Sequence, residues 1–343
     1  MREPFVRAAV GLFLLIGLVS ARPAAAVSLD SVLVGAPANP ADFRYSPTGF
    51  GAVDHTFNMG KFEITAAEYT EFLNSVARTD TYGLYTWYMS DPSPTHLGAN
   101  IRRTGSQGSY SYSVAPDWAN RPVNYVSWGD AARFCNWLAN GQPIGDQTLA
   151  TTEDGSYFLN GAITTALISV TRKAHARYVL PTEDEWYKAA YFNPAITRYS
   201  DYATGSDTAP SNLLSSPDPG NSANFFSGNF TIGSAYYRTE VGSFANSASS
   251  VGTFDQGGNV WEWNEAVINT WYRGVRGGSF DYSVDSLGAG SRSYQDPGDG
   301  SFNIGFRVAE LPEPVSLLPL CLFGAHLIRR SGRHTKSPAV LVD

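Results

Sequence analysis

The run Asp255-Gln256-Gly257-Gly258-Asn259-Val260-Trp261-Glu262 places two carboxylates and two glycines close together in the chain. Calcium takes roughly six to eight oxygens from carboxylates and backbone carbonyls. Asp255 and Glu262 offer hard oxygens, and the glycines let the backbone wrap. A tight turn with two solvated carboxylates would use the same residues, and the spacing alone leaves both readings open. Softer ligands are scarce. There are two cysteines, Cys135 and Cys321, and five histidines, at 55, 96, 175, 326 and 334, in no zinc- or iron-binding spacing.

The elements that must hold these groups follow from caps and periodicity. Residues 57–64 alternate apolar and polar and predict a strand. Thr65 then caps a helix, with Glu68 in place for a capping box and Tyr69, Phe72, Leu73 and Val76 on one face. Ser127 and Asp130 repeat the device before a helix with Ala131, Phe134, Cys135 and Leu138 on its apolar face, so Cys135 reads as a core thiol. Thr182 and Glu185 do so a third time, ahead of Trp186, Ala189 and Ala190. Further strands are expected at 122–126, 178–180, 258–263, 273–280 and 304–309, with a hairpin at 108–114. Residues 79–120, 141–175 and 193–250 read as loop-rich excursions.

Composition agrees with short strands and long ordered loops. Aromatic residues make up 13%, charged residues only 16%, and the net charge is -7. No surface basic enough to attract nucleic acid is expected. Eight Trp, 19 Tyr and 19 Phe supply the anchors of a core that has no disulfide to lean on.

Both ends carry targeting patterns. Arg2 and Arg7, the apolar run 8–19 and Ala24-Ala25-Ala26 read as a secretory signal over residues 1–26. Residues 27–49 are a loop-rich lead-in to a domain at 50–310. Pro312-Glu313-Pro314, the apolar run 315–328 and the cluster Arg329, Arg330, Arg333 and Lys336 resemble the PEP-CTERM sorting signal over 312–336, ahead of a tail at 337–343. The apolar run is short for a stable membrane helix and holds Pro319. The resemblance implies transient membrane contact and removal by a sorting protease in the inner membrane of a Gram-negative, exopolysaccharide-producing bacterium. The protein would then reside on the cell surface or in the extracellular matrix. A permanent single-pass anchor is the alternative. Cys321 would leave with the tail.

Five ordered motifs resemble the formylglycine-generating-enzyme (sulfatase-modifying factor) superfamily. They are Gly60-Lys61-Phe62-Glu63-Ile64-Thr65 with Tyr69 and Phe72; Pro122-Val123 with Val126-Ser127-Trp128 and Asp130-Ala131; Leu180-Pro181-Thr182-Glu183 with Glu185-Trp186; Gly258-Asn259-Val260-Trp261-Glu262-Trp263; and Arg276-Gly277-Gly278-Ser279 with Gly305-Phe306-Arg307. The resemblance implies a single α+β domain of low regular structure, related to C-type lectins. By position it implies calcium held by Asp255, the carbonyls of Gly258 and Val260, and Glu262. A weaker second site would start at Asn224 and the Phe225 carbonyl. Trp261 and Trp263 read as core anchors. Arg276, Gly277, Gly278 and Ser279 read as structural, and Arg307 as a buried ion pair or a carbonyl cap.

The family's copper(I) chemistry needs two cysteines, and the matching positions in this chain are Tyr282 and Leu287. Neither side chain is a soft ligand. No copper and no formylglycine-generating oxidase activity are therefore expected. A related branch makes carbon–sulfur bonds on a non-haem iron held by a histidine triad, largely from an added helical domain, and neither is seen in this sequence. The expected role is a non-catalytic binding or structural module with a glycan or peptide ligand. The alternative is a divergent enzyme with non-copper chemistry. It would draw on Ser279, Asp281, Tyr282, Asp285, Arg292 and Tyr294, which form no recognisable set of base, nucleophile and orienting group.

Overall fold

A computed structural model describes residues 26–312. The expected leader and sorting motif fall almost wholly outside the described residues. The three helices form where their caps place them. α1 (Ala66–Val76) begins at Thr65, whose side chain accepts the Glu68 N–H while Glu68 accepts the Thr65 N–H at 2.8 Å. α2 (Trp128–Ala139) and α3 (Glu183–Tyr191) carry the same reciprocal caps at Ser127/Asp130 and Thr182/Glu185. Each such cap is worth about 1 kcal/mol.

The strands, in chain order, are β1 (Ser31–Val34), β2 (Phe57–Gly60), β3 (Ile101–Thr104), β4 (Ser111–Val114), β5 (Tyr178–Val179), β6 (Phe192–Asn193), β7 (Arg198–Tyr199), β8 (Trp261–Ile268), β9 (Tyr272–Arg276), β10 (Ser293–Gln295), β11 (Ile304–Gly305) and β12 (Ala309–Glu310). One sheet runs β1-β2-β12-β5 and another β10-β9-β8-β11; β3-β4 and β6-β7 are two-stranded hairpins. The architecture is mixed α and β with short strands, as expected.

Several strand expectations need correction. The lead-in contains β1, which pairs antiparallel with β2 through Val32–Met59. The strand expected at 57–64 stops at Gly60, where Arg307 takes the next carbonyls. Residues 122–126 form no strand. Pro122 makes one bridge to Thr65, and Tyr125 at φ 58° breaks the extended run. Residues 304–309 are two strands, not one: β11 pairs parallel with β8, while β12 inserts between β2 and β5.

The core lies where α1 and α2 meet the sheets. Phe72 packs edge-on against Phe134 at 5.3 Å, and Phe134 meets Trp137 and Phe306 at 5.6 and 5.4 Å. Burying a side chain of this size contributes roughly 2 kcal/mol. Cys135 is free and buried within this cluster. Burial pushes its thiol well above the usual range, so it stays protonated. Among the described residues no helix is long and apolar enough to cross a membrane.

Candidate functional site

The segment 255–263 is a turn that enters β8, and two glycines let it pack. Gly258 has φ 95°, and a Cβ there would lie 2.2 Å from the Asn224 carbonyl oxygen. Its N–H donates to the Gly277 carbonyl at 2.8 Å. Gly277 has φ 100°, and a Cβ on it would sit 2.6 Å from the Gln256 carbonyl oxygen. Only glycine tolerates both demands. Between them Asn259, itself at φ 60°, accepts the Thr239 N–H and the Asn224 amide at 3.1 and 3.0 Å. Trp263 donates its indole N–H to the Val126 carbonyl at 3.0 Å.

Arg307 organises the buried side of this turn. Its Nε and Nη2 donate to Glu262 Oε2 and Oε1 at 2.5 and 2.6 Å, and neither side chain reaches solvent. Nη1 donates to the Gly60 carbonyl and Nη2 to the Phe254 carbonyl, both at 2.9 Å. Arg307 therefore both pairs and caps. Trp186 adds a third donor to Glu262 Oε2 at 2.7 Å. Asp255 accepts the Gly242 N–H at 2.6 Å. Burial, with Glu262 adding to it, pushes Asp255 up to about 6 against the pull of that N–H and of Arg307. Glu63 is also buried at this turn, and its motif gave no sign of a role there. The strand ends at Gly60, so the alternation that buries Phe57 and Met59 does not reach Glu63, and no sequence signal pointed it inward.

Asn224 is buried, and its side-chain oxygen meets no donor among the described residues. The Phe225 carbonyl already accepts from Asn212 and Thr231 at 3.2 and 3.3 Å. Among the described residues no three His, Cys, Asp or Glu side chains form a ready ligand cluster, so any cation at this turn would also depend on backbone carbonyls.

At the positions matching the family's cysteines the structure places two unlike groups. Tyr282 is 44% exposed and stands edge-on to Trp261 at 5.4 Å. Leu287 is buried against Ala223 and Phe225. Beside Tyr282 a polar chain runs through Ser279, whose hydroxyl donates to Asp281 at 2.6 Å, and Asn303, whose amide donates to the same carboxylate at 3.2 Å. The Phe226 N–H donates to the Tyr282 carbonyl at 2.9 Å, bringing the half-exposed pair Phe226 and Phe230 alongside.

The other candidate groups lie elsewhere. Arg292 pairs with Glu183 at 2.6 Å and borders a depression with Phe50 and Glu265. Asp285 borders a different one with Tyr45 and Asp201. Tyr294 packs on Tyr272 at 4.8 Å. Arg276 is buried, donating to Glu183, Ala289 and Ser291 while lying over the Phe50 ring. Ser279, Asp281 and Tyr282 are thus together, and Asp285, Arg292 and Tyr294 are not with them.

Comparison with known proteins places this geometry in a family. Residues 33–311 match the sulfatase-modifying factor enzyme 1-like domain. A stretch of 153 residues is 28% identical to the hercynine oxygenase of Mycolicibacterium thermoresistibile, covering 38% of this chain and 31% of that protein. The chain thus spans about a third of that relative's length. Among solved structures, CarF aligns with TM-score 0.51 at 22% identity over 83% of this chain and 99% of its own. Treponema denticola variable protein 1 aligns with TM-score 0.50 at 21% identity over 85% of this chain and 98% of its own. These two likenesses speak for the fold. The family match runs from within β1 through β12 and takes in all five motifs. The chain belongs to the sulfatase-modifying factor enzyme 1-like domain family.

Proposed function

We propose that this protein is an exported binding module that keeps the family's fold without its copper chemistry, and that partners dock at the surface around Tyr282. The observation that carries the reading is the pair of replacements, an exposed phenol at 282 and a buried isobutyl group at 287. Copper(I) needs soft thiolates, and these groups supply none. The phenol, the Trp261 edge and the Phe226–Phe230 pair offer stacking surface to a sugar ring or a peptide side chain. Asp281 beside them offers a carboxylate acceptor.

Calcium is proposed as a structural ion at the turn 255–262. Asp255 and the backbone carbonyls suit it. Glu262 suits it less, because both of its oxygens already accept from Arg307 and Trp186. Occupancy of the second site, at Asn224 and Phe225, is supported by the donor-free Asn224 oxygen. Export by the leader, followed by sorting to the cell surface or matrix through the tail, belongs to the same reading and rests on the sequence patterns at the two ends.

The second reading, a divergent enzyme, is favoured by the likeness to a hercynine oxygenase, an enzyme by name. It would act through Ser279, Asp281 and Tyr282. Glycan and peptide arrays probed with the protein and with Tyr282→Ala decide between them. We expect a ligand whose binding falls at least tenfold in the variant. Equal binding by the two proteins, or no ligand on any array, would overturn the binding reading.

A further inference from the structure

We propose that Glu63, rather than Glu262, is the carboxylate that joins Asp255 in holding a divalent cation. The inference rests on the calcium reading above and changes its ligand set.

Glu63 is 1% exposed, and neither of its carboxylate oxygens meets a hydrogen-bond donor among the described residues. Glu262, also fully buried, has three donors. An ionised carboxylate buried without a partner costs several kcal/mol, so an orphan of this kind marks a missing cation or proton.

The backbone explains why Glu63 and Asp255 meet. Arg307 donates to the Gly60 carbonyl on one side and to the Phe254 carbonyl on the other, while the Phe254 N–H donates to the Lys61 carbonyl at 2.9 Å. This clamp holds the stretch leading to Glu63 against the stretch leading to Asp255. Asp255 and Glu262 both act on Glu63 electrostatically.

Charge decides which ion fits. With all three ionised, Glu63, Asp255 and Glu262 beside the Arg307 guanidinium would leave two negative charges over, which one divalent cation would offset. The Lys61 ammonium lies over the Phe62 and Phe254 rings at 5.3 and 5.4 Å. Glu63 also borders a depression with Asp30 and Glu68. Hard oxygens from two carboxylates, completed by carbonyls and water, suit calcium.

The test is calorimetric titration of calcium into the chelator-treated protein and into Glu63→Gln and Glu262→Gln, with thermal unfolding measured alongside. We expect the wild type to bind one calcium ion. Glu63→Gln should weaken binding at least tenfold, raise the melting temperature of the calcium-free protein, and abolish the rise that calcium gives the wild type. Glu262→Gln should keep more of its calcium affinity than Glu63→Gln. If Glu63→Gln does not fold, Glu63→Asp serves: it keeps the charge but withdraws the oxygens by one methylene, and should also weaken binding. Wild-type affinity in the folded Glu63 variant would overturn this inference and leave the calcium reading standing. No calcium binding by the wild type would remove both.

Discussion

Arg307 holds Glu262 through two parallel hydrogen bonds of 2.5 and 2.6 Å in a place where neither side chain touches water. Removing one partner leaves the other buried and charged without its paired opposite charge. Arg307→Met is therefore expected to cost about 3–5 kcal/mol. It also strips donors from the Gly60 and Phe254 carbonyls. Denaturant unfolding checks this, and the double variant with Glu262→Gln should cost less than the sum of the two single changes.

Acid should weaken the fold through Glu185. Burial alone would raise this carboxyl, but His55 and Arg172 hold it at about 2, below its ordinary 4.5. A carboxyl depressed in the folded state stabilises above its unfolded value, and that share is lost as pH falls from about 4.5 toward about 2. The share is about 3 kcal/mol, and Glu185→Gln should flatten this limb of a plot of melting temperature against pH. The partner histidine works in another window. Its bond to Glu185 raises the His55 pKa above 6.5, so its share is full below about 6.5 and fades at higher pH.

Gly258→Ala should be far worse than Gly108→Ala. Both glycines have positive φ, 95° and 90°. The new methyl at 258 meets the Asn224 carbonyl oxygen at 2.2 Å, whereas at 108 it meets nothing within 4 Å. We expect a loss of about 1 kcal/mol at 108 and of roughly 3 kcal/mol or more at 258. Urea unfolding of the two variants measures the difference.

The protein should leave a sulfatase-type Cys-x-Pro-x-Arg peptide unchanged, with or without copper, as read by mass spectrometry. Detection of the aldehyde would contradict the loss of copper chemistry that Tyr282 and Leu287 imply. Tyr282→Ala should alter stability by less than about 1 kcal/mol, because the ring is half in solvent.

The helices were legible because a capping box is a local device, complete within four residues of sequence. All three caps form as read. Strands were less so, because a strand is defined by its partner. Residues 304–309 look like one apolar run, yet the turn through Phe306 and Arg307 sends their two ends to different sheets. The site divides in the same way. Asp255 and Glu262 announce themselves by spacing. That Glu262 is claimed by Arg307 while Glu63 is left without a donor depends on contacts across as many as 247 positions, from Gly60 to Arg307. No local pattern encodes that.

β12 lies between β2 and β5, and β11 completes the edge of the other sheet. A ribosome must therefore deliver nearly the whole domain before either sheet can close. Pairing strands this remote carries a high loop-closure cost, so folding should be slow and late. If the chain is exported as proposed, it would enter the secretion channel with both sheets still open, its closing stitch arriving last.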